Sequence, residues 1–585
     1  MSRFAALLGP GPGQPHLARR IEADVARRTG QVPRHWESEG IQLWQAGAWV
    51  ARSFGPLTLA GDLALTDLPE LRAALAADPG TDPVGLVLAA WRRWGPGALD
   101  RLCGGFAFAL WDARTRRLTA VRDRFGIQPL AYAAAPGRVV VAGDLSTVLA
   151  GLDTPPETDR AWVAGFLSGQ PLDAVRTAWR GVLRLPPGHL MVVEPDGTVT
   201  LRPWYRLERS APPKVQDAAP ALRAALAHAT NQACADGPTA TMLSGGLDSS
   251  TLALLSVGPE APTPCPRPAL SLRYRDPAMD EGRYIGDVLH QSGGRLVPVS
   301  LPGETGAEEL FDLEAQLEWQ DQPVFAPGLT GTRRLYRAVR EQGCGAVLNG
   351  HGGDEVIGGT PRDIALIAGS GRWPLALALA ARQARFTGES VTQTLAALLA
   401  VRGRRGFGRL GRWMLADSGP APQEWRALVD PDLARETRLV ERVRAGTQAD
   451  PGDRDLPQGL RLHAAMMTGP LAPAAFELLG RAAQADGVAP RYPFYDHRVV
   501  ELCVWQPELA KVAGGRPRAL LREAMRGVLP ESVRLRRDKT DFIANLWTTL
   551  RQDPQGRLAA FRADPGPLRG WVDAGVLRAD VAHLA

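Results

Sequence analysis

A chain of 585 residues is too long for a single hydrophobic core and calls for two or more domains. With 45% hydrophobic and 22% charged residues, wholesale disorder is excluded. The net charge of +6 is a slight excess of 68 basic over 62 acidic residues. It admits an anionic ligand but not a nucleic-acid surface, since no basic patch is interleaved with aromatics.

From the N-terminus onward, short β-like runs broken by turns stand at 49–51, 57–60, 106–111, 118–121, 139–142 and 190–193. Helical periodicity covers 69–77 and 84–94, so residues 1–208 are expected to form a layered α+β domain. A Pro/Ala-rich linker follows at 209–220. The second domain, 221–560, opens with a helical pattern over 221–235. Strands expected at 239–243, 269–274, 296–301 and 345–349 then alternate with helices at 251–257, 281–291, 308–319 and 330–342. That alternation predicts a parallel, doubly wound α/β sheet with its ligands at the carboxyl ends of the strands. Residues 365–465 are rich in Ala, Arg and Leu and are expected to be helical. They are interrupted near 445–458 by a polar stretch that is either a lid or an idle surface loop. The run Arg402, Arg404, Arg405, Arg409 and Arg412 is read as a solvated segment, and 561–585 as a tail.

Two glycine-rich loops carry the chemistry. The first, Ser244-Gly245-Gly246-Leu247-Asp248-Ser249-Ser250, joins the strand over 239–243 to a helix. Small residues let backbone N–H groups close on an anion, and a helix N-terminus adds a favourable dipole. No Gly-Lys-Ser/Thr follows the glycines, so the loop is not a Walker A motif. Two hydroxyls and a carboxylate suit a pyrophosphate cradle with a metal-binding acid; the plain alternative is an ordinary strand–turn–helix. The second loop, Leu348-Asn-Gly-His-Gly-Gly-Asp-Glu-Val-Ile-Gly-Gly359, offers a further carboxylate in Asp354. Mg²⁺ is commonly bound by one or two carboxylates together with substrate phosphates, so Asp248 and Asp354 could share one ion.

The first loop resembles the signature of the ATP-pyrophosphatase superfamily, and the second resembles the Gly-x-Gly-x-Asp-Glu-x-x-Gly-Gly loop of asparagine synthetases. Trp94-Gly95, Leu102 to Asp112 and Arg122-Asp-Arg-Phe-Gly-Ile-Gln-Pro-Leu130 resemble the glutamine amidotransferase domain of the same family. So do Leu185-Pro-Pro-Gly-His189 and Trp204-Tyr205. The resemblance implies an Ntn-type αββα amidotransferase-like domain followed by a doubly wound synthetase domain of the adenine nucleotide alpha hydrolase kind. It implies ATP and Mg²⁺ as cofactors. Leu243, Ser244, Gly245, Gly246, Asp248, Ser249, Ser250, Gly350, Gly352, Gly353 and Lys539 would surround ATP and pyrophosphate, with Asp248 and Asp354 on the metal. Lys539, after Leu529-Pro-Glu-Ser-Val-Arg, matches the family's lysine that contacts phosphates and intermediate. Asp496, closing Arg491-Tyr-Pro-Phe-Tyr-Asp496, and Asp321 match positions at or behind the substrate.

The departures narrow the expectation. Working glutaminases of the family use an N-terminal cysteine, but this sequence starts Met1-Ser2-Arg3-Phe4 and its first cysteine is Cys103. A hydroxyl is a far poorer nucleophile than a partly ionised thiol. The family's Arg-Gly-Pro-Asp segment is absent, with His35-Trp-Glu-Ser-Glu39 near its place. The first domain is therefore expected to serve as scaffold or substrate surface and to make no ammonia. The five cysteines are scattered without a Cys-x-x-Cys spacing, a reducing-compartment pattern. Neither a signal-peptide core near the N-terminus nor a membrane-length apolar run is present, so a cytoplasmic chain away from membranes is expected.

His351 replaces the acidic residue usual in asparagine synthetases and the tyrosine of β-lactam synthetases; lasso peptide cyclases often show His-Gly-Gly-Asp-Glu. A histidine there suits either acceptance of a proton from an amine or donation to phosphate. The glutamate usual just before the Arg491 motif is missing, with Ala489 and Pro490 in its place. Lys539, His351 and Asp496 are thus the expected catalytic residues. The implied reaction is that of a lasso peptide cyclase. It adenylates an Asp or Glu side chain of a leader-free linear core peptide and closes a macrolactam with the peptide's α-amine, beside a leader peptidase and a leader-binding protein. A β-lactam synthetase-like ligase, an ammonia-dependent asparagine synthetase and a non-catalytic nucleotide-binding scaffold are the alternatives.

Overall fold

The computed structural model describes residues 2–9, 15–38, 40–47, 51–169, 173–211, 217–235, 237–259, 261, 266–303, 317, 320–323, 326, 328–388, 390, 428–447, 455–537, 540, 556, 560, 563–564 and 566–584. In the first domain twelve strands form two sheets. They are β1 (Ser2–Leu8), β2 (Arg34–Ser38), β3 (Ile41–Gly47), β4 (Arg52–Phe54), β5 (Leu57–Thr66) and β6 (Cys103–Asp112). The rest are β7 (Arg117–Arg122), β8 (Ala131–Ala135), β9 (Arg138–Ala142), β10 (Val182–Arg184), β11 (His189–Val193) and β12 (Val199–Pro203). One sheet runs β10-β8-β9-β1-β3-β2, the other β12-β11-β7-β6-β5-β4, with antiparallel neighbours.

The period-2 alternation of strand side chains builds the layers. In β6, Phe106, Phe108 and Leu110 pack toward the helices Leu68–Leu75 and Pro83–Trp94. Ala107, Ala109 and Trp111 face the other sheet, meeting Phe4, Ile41 and Leu43. The outer face of that sheet is covered by the helices Pro15–Thr29 and Leu145–Ala150, through Ile21, Val25 and Val148. The result is the four-layer αββα sandwich expected. β1, β2, β3, β4, β8, β10 and β12 were not expected: their apolar residues are interrupted by polar ones such as Arg3, Glu37, Gln42 and Gln45, are alanines, or stand in very short strands, which weakens the pattern. Of the strand expected at 49–51, residues 49 and 50 lie outside the described residues and Ala51 is not in a strand.

The helix Ala218–Ala233, capped by Asp217, begins inside the stretch read as linker. The second domain is built on β13 (Thr239–Met242), β14 (Arg267–Arg273), β15 (Leu296–Pro302), β16 (Ala346–Leu348) and β17 (Ala489–Arg491), in the order β15-β14-β13-β16-β17. All pairs are parallel. The chain winds outward through β14 and β15, then returns to the other side of β13, so β13 and β16 flank the topological switch point. Both glycine-rich loops leave the carboxyl ends of these two strands. β17 was not expected, being three residues long with Pro490 in its middle. Helices Pro361–Gly369, Trp373–Thr387, Pro431–Glu436, Leu439–Thr447 and Gln458–Thr468 stand in or at the edges of the region expected to be helical, of which 389 and 391–427 lie outside the described residues. Arg402 to Arg412, residues 448–454 of the polar interruption and all but residue 317 of the helix expected over 308–319 lie outside the described residues. The stretch read as a tail includes the helix Ala574–Leu584, and Val572 bridges to Val429.

Buried ion pairs tie the domains together. Asp321 takes Arg28 of the first domain at 2.6 Å and Arg481 of the second, and it accepts the Leu145 N–H at 2.8 Å. Its side chain is only 1% exposed. Arg184 pairs with Glu477 at 2.7 Å, and Arg3, paired with Asp144 at 2.9 Å, also donates to Gln484 at 2.9 Å. Asp321, expected near substrate, is thus an anchor between domains. Among the described residues no helix is long and apolar enough to cross a membrane.

Candidate active site

The first loop leaves β13 with Leu243 buried and its N–H on the Leu270 carbonyl. Ser244 and Ser249 hold one another: their hydroxyls are 3.0 Å apart, and Ser249 Oγ accepts the Ser244 N–H at 3.2 Å. Gly246 caps the helix Leu247–Leu255 without a side chain, which leaves the first-turn N–H groups open to an anion. Gly245 has φ +72°, and a Cβ there would come within 2.8 Å of Tyr284 Cβ. Ser250 is fully buried, and its Oγ has no hydrogen-bond partner among the described residues.

The second loop is pressed against the first. A Cβ on Gly350 would lie 2.9 Å from the Ser249 nitrogen, and one on Gly353 would lie 2.2 Å from Asp248 Cγ. A Cβ on Gly352, at φ +98°, would strike the Tyr495 ring at 2.4 Å. These glycines are required by loop-against-loop packing, whatever a phosphate would add. His351 donates its N–H to Asn349 Oδ1 at 2.9 Å, and Asn349 donates to the Arg491 carbonyl of β17 at 2.9 Å. The short strand β17 therefore sets the loop's starting point.

Asp248 and Asp354 converge as expected, and they do so on a residue not foreseen. Arg518 Nη1 lies 2.5 Å from Asp248 Oδ2 and 3.1 Å from Asp354 Oδ1. Burial opposes its charge, but Asp248 and then Asp354 outweigh that and raise its pKa. The two carboxylates thus flank one point that favours a cation. Arg518 itself stands at φ +55°, outside any helix, within an arginine-rich stretch that gave no local signal. Arg536 was also missed. It pairs with Glu281 at 2.7 Å, reaches the Gly245 carbonyl at 3.3 Å and stacks 4.1 Å over Tyr284. Thr540 Oγ1 donates to the same Glu281 at 3.0 Å. Lys539, between them in sequence, lies outside the described residues.

His351 is enclosed by rings: Phe476 edge-on at 5.4 Å, Tyr492 at 6.2 Å and Tyr495 stacked at 6.4 Å. Its Nε2 is buried without a hydrogen-bond partner among the described residues. Burial lowers its pKa against the opposing pull of Glu355 and Asp354, so the ring is neutral near pH 7. Behind the loop, buried Lys511 donates to His463 Nδ1 at 2.8 Å, and His463 Nε2 donates to the Glu355 carbonyl at 2.8 Å.

Asp496 is not brought to the carboxylate pair. It caps the helix His497–Val504 and is clamped by Arg498 at 2.5 Å, which also pairs with Asp67 of the first domain at 2.8 Å. Arg498 holds its carboxyl below the usual range despite burial. Asp496 lines a cavity of about 40 Å³ between the domains, together with Thr66, Gly105, Ile127, Tyr492 and Tyr495. An acid held this way is a structural cap at the domain interface, which removes the reason for placing it among the catalytic groups. In the first domain, burial and then Asp67 push the Cys103 thiol up to about 12, so it offers no thiolate at neutral pH.

Comparison with known proteins agrees with this arrangement. Residues 221–584 match the asparagine synthase family, and residues 70–205 match the glutamine amidotransferase domain. The chain belongs to the asparagine synthase family, whose asparagine synthetase members are ATP-dependent, AMP-forming carbon–nitrogen ligases. A Penicillium rubens protein named amidase chyE is 30% identical over 341 residues, which span 52% of this chain and 49% of that one. A putative glutamine-hydrolyzing asparagine synthetase of Mycobacterium tuberculosis is 31% identical over 303 residues, 50% of this chain and 45% of its own length. Glutamine-hydrolyzing asparagine synthetase 3 of Bacillus subtilis is 25% identical over 487 residues, 80% of this chain and 72% of its own. The chain spans about half the length of the first two of these relatives.

Proposed function

We propose that this chain adenylates a carboxylate with ATP and then joins it to an amine carried by the same substrate, as a lasso peptide cyclase. The donor set fits ATP with Mg²⁺: a hydroxyl-lined loop at a helix N-terminus, and two carboxylates flanking one point that already attracts a guanidinium. Asp248 and Asp354 would hold the ion, which when bound offsets the charge of the phosphates. The Ser244–Ser249 pair and the first-turn N–H groups orient the pyrophosphate, and Arg518 and Lys539 supply further positive charge as it departs. The carboxylate oxygen attacks the α-phosphorus, pyrophosphate leaves, and an amine nitrogen then displaces AMP from the acyl carbon with loss of one proton.

The observation that carries the cyclase reading is His351, a neutral imidazole in an aromatic wall three residues before Asp354. It is suited to accept the amine's proton where the family usually has a carboxylate or a tyrosine. A substrate carrying both reacting groups needs no ammonia, in keeping with an inert Cys103 in the first domain. Proximity within one folded peptide raises the effective concentration of the amine. Localisation in the cytoplasm and pathway partners that remove and bind a leader belong to this proposal.

The test offers the enzyme ATP and synthetic linear core peptides having a free α-amine and an internal Asp or Glu. Pyrophosphate release, with a product lighter by one water, is expected. Turnover of free aspartate with ammonium, and none with peptides, would instead establish the second reading, ammonia-dependent asparagine synthesis. That reading is favoured by the Bacillus subtilis relative matching 80% of the chain.

A further inference from the structure

One turn of the first domain enters the wall around His351. Asp123 gathers four backbone N–H groups: Phe106 at 3.3 Å, Phe125 at 3.0 Å, Ile127 at 3.0 Å and Gln128 at 2.8 Å. Buried Arg122 closes the same turn by donating to the carbonyls of Gln128 at 2.8 Å, Gly126 at 3.0 Å and Leu185 at 2.8 Å. A turn held by seven hydrogen bonds is stiffer than a loop needs to be for chain reversal alone.

What it presents is Phe125, 2% exposed and packed in the core of the second domain. Its ring meets Tyr495 edge-on at 5.6 Å and Tyr205 at 6.0 Å. Tyr495 in turn stacks on His351 and packs 4.7 Å from Phe476. Ile127 of the same turn lines the interdomain cavity beside Tyr492 and Tyr495. Tyr495 is therefore gripped by the first domain on one side and carries His351 on the other. It also fills the space left by the missing side chain of Gly352.

We infer that Phe125 is a positioning residue of the ligase site, and that the amidotransferase-like domain is retained to supply it. The inference rests on the ligase reading for its catalytic consequence. Its structural part stands apart from that reading: without the Phe125 ring, Tyr495 gains room to move, and the loop around His351 loses its backing.

The test compares Phe125→Ala with Phe125→Leu and with Leu63→Ala, in the full chain. Leu63 is buried in the first domain against a different helix layer and serves as a control for general destabilisation. Hydrogen–deuterium exchange is read first. Phe125→Ala should raise exchange over 349–357 by about tenfold and Phe125→Leu by much less, with Leu63→Ala leaving that stretch unchanged. Kinetics with ATP and a core peptide are read second: kcat should fall about tenfold in Phe125→Ala, with KM for ATP unchanged and most of the loss restored in Phe125→Leu. Exchange over 349–357 that is unchanged by Phe125→Ala, or raised equally by Leu63→Ala, overturns the inference. If the wild-type chain activates no carboxylate, the ligase reading fails, and the exchange result still decides the role of Phe125.

Discussion

Two acid–arginine clusters in this chain look alike on paper and differ in what they can do. At the domain interface a single carboxylate, Asp321, is held by two arginines, with its side chain 1% exposed. At the switch point two carboxylates share one arginine, with Asp248 18% and Asp354 49% exposed. The first is closed to solvent and knitted into further ion pairs, Arg28 with Asp24 and Arg481 with Glu477, so it is finished as a structure. The second faces solvent, so a ligand can still reach it. Access to water separates an anchor from a site; the residue types do not.

This contrast can be broken experimentally. Asp248→Asn is expected to lower pyrophosphate release by about a thousandfold or more while leaving the melting temperature within a few degrees, since it removes a group needed at the reacting phosphates. Survival of activity would mean that the metal assignment is wrong. Asp321→Ala should do the reverse: about 3–5 kcal/mol of stability lost, because buried Arg28 and Arg481 each lose their closest carboxylate. Denaturant unfolding checks it, and a loss below about 1 kcal/mol would make the anchor superficial.

Between these extremes, His351→Gln should slow amide formation by about a hundredfold and leave ATP–pyrophosphate exchange near wild type. Equal loss of both steps would show that the ring serves phosphate binding instead. The smallest effect sharpens the cation argument: in Arg518→Met the carboxylates lose their internal counter-ion. Millimolar Mg²⁺ should then raise the melting temperature by a few degrees more than in wild type.

A dependence on pH follows from His463, whose pKa is lowered to about 3 by burial, with Lys511 adding to the shift. The unfolded chain protonates this ring near pH 6.5 and the folded chain does not. The stability it contributes is therefore present above pH 6.5 and lost as pH falls from there toward 3, at a slope of about 1.4 kcal/mol per pH unit. Urea unfolding of His463→Gln should show a shallower acid limb than wild type.

Much of this was legible in the sequence. The strands with clean apolar runs, 106–111 and 118–121 among them, and both glycine-rich loops were found where their patterns placed them. β1 and β3 were hidden because their apolar side chains are spaced by Arg3 and glutamines, and β2 because it is short and mostly polar. Arg3 finds its place only through Asp144 and Gln484, far away in sequence. Arg518 and Arg536 could not be picked out from 68 basic residues, since what distinguishes them is which carboxylate folding brings to each. Asp321 and Asp496 were read as working acids because a motif cannot show that two arginines, or a helix N-terminus and Arg498, already occupy them.

One small feature has consequences for how this site can change. The carboxyl carbon of Asp248 occupies the place that a methyl group on Gly353 would need, 2.2 Å away. The two residues lie on loops about a hundred positions apart, yet they form an epistatic pair. A side chain introduced at 353 must push the Asp248 carboxylate out of its present position. The placement of the acid at 248 is thus set by an absence in the neighbouring loop, and a library that randomises one loop alone carries that constraint over from the other.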